Sequence, residues 1–157
     1  MIFEEDLGKF LVQAKQLTYA GGQEAQKIIE DDGSKTLIFQ DGDFRYHDNY
    51  FGGEPYGGRE LVFFKGCPVY TMLYYGWVDK KITDFNQVYK ILRQALLLIP
   101  VEAPYRGPKD YRVGDYHYLN SFTGELSNFS GEEIIKYKGE EIYKAKYIGG
   151  FLDQRAK

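Results

Sequence analysis

Phe3, Leu7, Phe10, Leu11, Ala14 and Leu17 recur at the spacing of one helix face. Glu4, Glu5 and Asp6 stand in the first turn, where the positive end of the helix dipole favours carboxylates. The spacing predicts an amphipathic helix over residues 3–17, stopped by Gly21-Gly22. A second apolar stripe, Phe85, Val88, Tyr89, Leu92, Leu96 and Ile99, predicts a helix over 84–99. Thr83 or Asp84 caps it and Pro100 ends it.

Elsewhere the pattern shortens to the alternation of strands. Gln26 to Glu30 reads as a short extended stretch, followed by a turn at Asp31-Asp32-Gly33-Ser34. Thr36 to Phe39 and Phe44 to Tyr50 form a hairpin joined at Asp41-Gly42. Arg59 to Lys65 and Pro68 to Trp77 form the next, closed at Gly66-Cys67. In its second strand Val69, Leu73, Tyr75 and Trp77 alternate with Tyr70, Met72 and Tyr74, which predicts an internal strand covered on both faces. The remainder reads as strands over 115–121, 126–129, 133–137 and 140–148, with Tyr143, Ala145 and Tyr147 on the inward face of the last.

Helix, strands, helix, strands is not the regular alternation that forces a parallel sheet. The expected class is α+β: a strongly twisted, mainly antiparallel sheet supported by two helices. With 157 residues the chain is long enough for one sizeable core, so one domain over residues 1–157 is expected. Two helices cover one face of such a sheet. The other must curl on itself, line a cavity or meet a second copy, so a homodimer is one expected arrangement.

Composition narrows the function classes. A formal charge of −3 gives no broad basic face for phosphate backbones or anionic membranes, so neither nucleic acid nor membrane is an expected partner. Cys67 is the single cysteine, which rules out an intramolecular disulfide and fits a reducing compartment. The N-terminus is acidic and no apolar run approaches the ~20 residues of a membrane span, so the expected location is cytoplasmic. Tyr (15) and Phe (11) far outnumber the single Trp, which suggests half-buried sheets and a partly wet pocket or interface.

The densest cluster of special residues is the run from Tyr50 to Glu60, where glycine pairs alternate with aromatics and charges. It reads as a bend that delivers Glu54 and Arg59 to a fixed place. Arg106, in Pro104-Tyr105-Arg106-Gly107-Pro108, sits in a loop that two prolines stiffen. Either arginine can grip a carboxylate or phosphate, or pair internally with Glu54, Glu60 or a carbonyl. The expected ligand-binding set is Tyr50, Glu54, Arg59, Tyr74, Arg106, Tyr143 and Tyr147, around a small anionic or polar ligand. No cofactor is expected, and His47 and His117 are too far apart, without supporting ligands, for a zinc shell. No catalytic residue is assigned. An enzyme would draw on Arg45, His47, Asp48, Glu54 and His117, although adjacent strand residues such as His47 and Asp48 point to opposite faces. Neither a nucleophile elbow nor a phosphate-binding glycine loop is present.

Phe10-Leu11 with Ala14, Thr18-Tyr19-Ala20, Asp43 to Tyr46, Tyr50 to Glu60, Met72 with Tyr74-Tyr75-Gly76, Tyr105 to Pro108 and Tyr147 with Gly149-Gly150 together carry a resemblance. They resemble an uncharacterised prokaryotic domain family, a domain of unknown function that occurs alone or behind an Xre-type helix-turn-helix domain. The resemblance covers nearly the whole chain and implies, by analogy, a sensory or oligomerising role. The chain has no recognisable helix-turn-helix segment of its own. The expectation is therefore a stand-alone small-ligand-binding or sensor-like domain, with an enzyme or a structural dimer module as alternatives.

Overall fold

The computed structural model describes residues 4–24 and 26–155. Phe3, the first residue of the expected N-terminal helix, lies outside the described residues. Helix α1 spans Glu4–Leu17 and a 3-10 helix follows over Tyr19–Glu24. Thr18 donates its hydroxyl to the Ala14 carbonyl at 2.7 Å, closing the last turn of α1. Helix α2 spans Phe85–Leu96, and the Asp84 carboxylate caps it by accepting from the Gln87 amide at 3.4 Å. It ends earlier than its apolar stripe suggests. Leu98 and Ile99 bond back only three residues, and Pro100 holds its predecessor away from helical geometry.

Nine strands form one antiparallel sheet: β1 (Lys27–Ile29), β2 (Lys35–Asp41), β3 (Phe44–Gly52), β4 (Tyr56–Phe64), β5 (Cys67–Val78), β6 (Asp110–Val113), β7 (Tyr116–Glu125), β8 (Asn128–Tyr137) and β9 (Glu140–Phe151). Their order is β1-β2-β3-β4-β5-β9-β8-β7-β6. The expected α+β class with an antiparallel sheet is what the chain adopts. Two hairpin arms of the sheet meet where β5 pairs with β9.

The strand pattern corrects the sequence reading at three places. The glycine-rich run 50–60 is no extended loop: it belongs to β3 and β4, and only Gly53, Glu54 and Pro55 connect them. Its strand glycines Gly57 and Gly58 sit where neighbours press close, since a Cβ on Gly58 would lie 2.6 Å from the Tyr50 Cβ. The segments 126–129 and 133–137 belong to a single strand, β8, carried through Gly131. The short edge strand β6 is additional.

Both helices lie on one face of the sheet. Leu7, Phe10, Leu11 and Ala14 of α1 pack with Tyr46, Val62, Tyr70 and Met72. Val88, Ile91, Leu92 and Ala95 of α2 pack with Tyr118, Ile135, Tyr143 and Ala145. Glycines on this inner face make room for tyrosines of the neighbouring strand. Gly76 stands opposite Tyr56, and Gly131 opposite Tyr147. A Cβ at Gly76 would lie 2.6 Å from the Tyr56 hydroxyl and 2.7 Å from its ring, and one at Gly131 would collide with the Tyr147 ring. Tyrosine rings thus lie flat across glycine positions of the sheet and aim their hydroxyls along it.

Strand β5 is internal, as expected, but only one of its faces is covered. Tyr70, Met72 and Tyr74 are buried, whereas Leu73 is 51% and Tyr75 53% exposed. Ile148, the cross-strand partner of Leu73, is equally open. Aromatic and β-branched side chains stabilise a pleated surface through cross-strand contact even where solvent reaches them, so alternation between two apolar sets overstated burial. Tyr75 and Trp77, two positions apart on β5, also bring their rings to 5.8 Å on the open face.

The stacking of Tyr56 on Gly76 predicts that Gly76→Ala destabilises by about 1–3 kcal/mol, because the added methyl must displace a packed ring. Gly53→Ala, whose Cβ meets open space, is expected to change stability by less than about 0.5 kcal/mol. Urea unfolding of the two variants checks the difference.

Candidate functional site

The inner face carries charges where strand periodicity places core. Asp48, Glu60 and Glu133 are in phase with Tyr46, Val62 and Ile135, and all three are buried. Lys15 of α1 and Arg106 of the loop before β6 are buried with them. Burial of each such charge costs several kcal/mol unless a partner compensates it. Two of the three acids have a cation against them.

Arg106 and Glu133 form the more fully bonded pair. Nε and Nη2 of Arg106 donate to Glu133 Oε1 at 2.9 and 2.5 Å. Tyr118 donates to Glu133 Oε2 at 2.5 Å, and Tyr143 to Oε1 at 3.0 Å. Tyr56 joins through short contact with the Tyr143 hydroxyl and lies 3.4 Å from Arg106 Nη2. Burial pulls the arginine's pKa down, but Glu133 and the surrounding tyrosines outweigh it and hold the guanidinium protonated. The backbone amide of Gly107 donates to the Tyr118 hydroxyl at 2.9 Å, and Asn120 holds the Gly107 carbonyl at 3.0 Å, so the loop is pinned directly after Arg106.

Lys15 lies 3.0 Å from Glu60 Oε2. Its ammonium also donates to the carbonyls of Pro104 and Tyr105, both at 2.7 Å. With its protons directed there, the contact with Glu60 is ionic, and neither Glu60 oxygen has an aligned hydrogen bond. Burial lowers the lysine's pKa while Glu60 pulls it back up. Through Lys15, α1 is tied to the loop that delivers Arg106.

Asp48 is the odd acid. It accepts a short hydrogen bond from the Tyr74 hydroxyl and has no cation of its own. Burial, then the Glu60 charge, raise its pKa from 3.8 to about 7, against the opposing effects of Tyr74, Arg106 and Lys15. Tyr74 is itself pushed well up by burial and by that carboxyl.

Of these groups Asp48 and Arg106 line a groove of about 890 Å³ between the sheet, the 53–55 turn and α2. Tyr19, Tyr50, Tyr56, Tyr74 and Tyr89 wall it, Asp48 and Arg106 lie at the bottom, and Lys27, Lys35 and Arg93 stand around its mouth. The Arg106 guanidinium lies 5.7 Å from the Tyr19 ring and 5.8 Å from the Tyr74 ring. The Tyr19 hydroxyl is occluded from solvent and has no hydrogen-bond partner. A smaller concavity of about 680 Å³ lies beside Glu54, Trp77 and Phe85. Buried ionisable groups open onto the first and not the second, so the groove is the candidate site.

Stretch 48–152 matches the family described as Domain of unknown function (DUF5680). The chain belongs to that family. No curated protein and no solved structure matches it. The DUF5680 match opens inside β3 at Asp48 and takes in Glu60, Arg106 and Glu133, whereas α1 with Lys15, the Tyr19 wall and β1 to β2 lie outside it.

Of the residues expected at a site, Tyr50, Tyr74 and Arg106 line the groove. Tyr143 lies beneath it on Glu133, and Tyr147 is turned away to bond Asn120 at 2.6 Å. Glu54 is a clamp: it accepts from the Val78 amide at 2.7 Å and from the Tyr89 hydroxyl, fixing the 53–55 turn against α2. Arg59 is exposed beside Asn49 and Leu73 on the outer face, because it is one residue out of phase with buried Glu60. The polar set weighed for catalysis is scattered: His47 is on the outer face near Phe63, Arg45 stacks on the same ring, and His117 pairs with Asp110 at 3.0 Å.

Linkage gives Asp48 a measurable consequence. Its folded-state pKa exceeds 3.8, so the folded protein holds that proton more tightly than the unfolded chain, and stability from this group falls as pH rises from about 4 to about 7. Asp48→Asn removes the cost of ionisation. The variant is therefore expected to gain stability relative to the parent as pH rises through that window, by more than about 1 kcal/mol at pH 8. Chemical denaturation at pH 5 and pH 8 checks the sign.

Proposed function

We propose that this DUF5680 chain is a small-ligand-binding, sensor-like domain whose site is the groove between the sheet and α2. The observation that carries the proposal is the pairing of an aromatic wall with polar groups unspent among the described residues: Asp48 with no cation of its own and an occluded Tyr19 hydroxyl with no partner. A domain needs no such arrangement for stability. Apolar side chains of equal volume fill a core at less cost than buried carboxyls and orphan hydroxyls, and strain of this kind is retained where a ligand completes it. The volume suits a molecule of metabolite size, and walls held by hydrogen bonds such as Tyr89 to Glu54 leave it open without a ligand. The groove takes Arg106 and not Arg59 as its arginine, and Arg106 acts with its charge already paired.

A thermal-shift screen of polar metabolites, followed by amide chemical-shift mapping of the hits, tests this. Stabilising compounds are expected to perturb residues 50–56 and 85–96. Hits that perturb only the outer-face residues of β4 and β5, or a library that yields none, would count against the groove.

A further inference from the structure

The groove floor presents a donor and an acceptor that the protein itself leaves unused. Arg106 spends Nε and Nη2 on Glu133, and Nη1 makes no hydrogen bond among the described residues. Asp48 spends Oδ1 on Tyr74, and Oδ2 likewise makes none among the described residues. Asp48 and Arg106 are each 3% exposed. Both residues line the groove and flank the same ring: the Arg106 guanidinium lies 5.8 Å from the Tyr74 centroid, and Asp48 takes the Tyr74 hydroxyl.

An N–H donor beside a carboxyl acceptor is complementary to the edge of a nucleobase, which places a ring or exocyclic N–H next to a carbonyl or ring nitrogen. Tyr56 meets Tyr74 at a tilt and Tyr89 edge-on, with centroids 5.9 Å away in each case, so these rings pack on one another into a single aromatic wall against which a planar heterocycle can lie. Three cations then stand at the mouth. Lys27 and Lys35 come from β1 and β2, on the face of the sheet that holds Leu37 and Tyr50, and Arg93 comes from α2 opposite. Among the described residues none of the three forms an ion pair; Lys35 lies over the Tyr50 ring at 5.7 Å. Three unpaired cations around one mouth fit a phosphate dianion, which takes several N–H donors at once.

We propose, on the footing that the groove is a ligand site, that it takes a nucleoside monophosphate: base edge on Arg106 and Asp48, ring against the tyrosine wall, phosphate on Lys27, Lys35 and Arg93. The phosphate is assigned to side-chain cations rather than to a glycine loop or a helix terminus, so nucleotide-binding motifs give no sign of it in the sequence. The base needs both the donor and the acceptor, and the phosphate needs the rim, so neither half of the ligand holds alone.

Calorimetric titration of the full chain with GMP, AMP and UMP, with the matching nucleosides, with ribose 5-phosphate and with inorganic phosphate separates the halves. At least one monophosphate is expected to bind at least about tenfold more tightly than its nucleoside, ribose 5-phosphate and phosphate. The double variant Lys27→Ala/Lys35→Ala, altered only at the rim, is expected to weaken that monophosphate about tenfold and leave the nucleoside unchanged. Equal affinity for ribose 5-phosphate overturns the base subsite, and an undiminished affinity in the double variant overturns the phosphate subsite. If no monophosphate binds while other screen hits still perturb residues 50–56 and 85–96, the nucleotide assignment fails and the ligand-binding reading survives. If hits perturb no groove residue, both fail.

Discussion

The buried ion pair between Arg106 and Glu133 is the constraint around which the inner face is arranged. Glu133 sits on β8, Tyr118 on β7, Tyr143 on β9 and Tyr56 on β4, and all converge on one carboxylate and one guanidinium. A buried pair barely offsets its own desolvation, and it is tolerable only when further hydrogen bonds saturate both partners. The tyrosine hydroxyls supply that saturation. Tyr56 reaches it across Gly76 of β5 and Tyr118 across Gly107 of the loop, so glycine placement and charge burial are linked at these two rings. The groove follows from the same arrangement, since tyrosines anchored at the hydroxyl leave space between their rings and α2 instead of collapsing into it.

Lys15 and Glu60 form a second pair with a different character. Both are fully buried, yet the lysine gives its hydrogen bonds to carbonyls of the 104–105 segment and only its charge to Glu60. Its task is attachment: it fastens α1, outside the family match, to the loop that carries Arg106. Two cations are thus set against two glutamates, and Asp48 is left as the acid whose protonation state is free to respond to pH or to a ligand.

Much of the fold was legible in the sequence because it rests on local periodicity. The apolar stripes of both helices, the hairpin at Gly42 and the inward set Tyr143, Ala145 and Tyr147 all follow from spacing that the structure keeps. The glycine-rich run misled for a physical reason: glycine permits a bend, but in Gly57 and Gly58 it serves close approach by Tyr75 and Tyr50 inside a strand. Of the site, Tyr50, Tyr74 and Arg106 were readable from their settings, whereas Glu133 and Lys15 were not singled out and Glu60 was weighed only as an internal partner for an arginine. A signal existed for them. Glu60 shares phase with Val62, Glu133 with Ile135, and Lys15 adjoins Ala14 in the apolar stripe, but only long-range contact shows that each has a partner. The same phase argument, applied to Arg59, places it outside.

The central claim is that Arg106 and Glu133 act as one unit, and a double-mutant cycle measures it most directly. Arg106→Met and Glu133→Leu each leave an unpaired buried charge and are expected to cost about 3–5 kcal/mol singly. Because the double variant buries neither, its cost is expected to fall short of the sum by well over about 1 kcal/mol in equilibrium unfolding, or it folds where a single variant does not. Additive effects, or single costs under about 1 kcal/mol, would contradict the account and show that the tyrosine face stands without the pair.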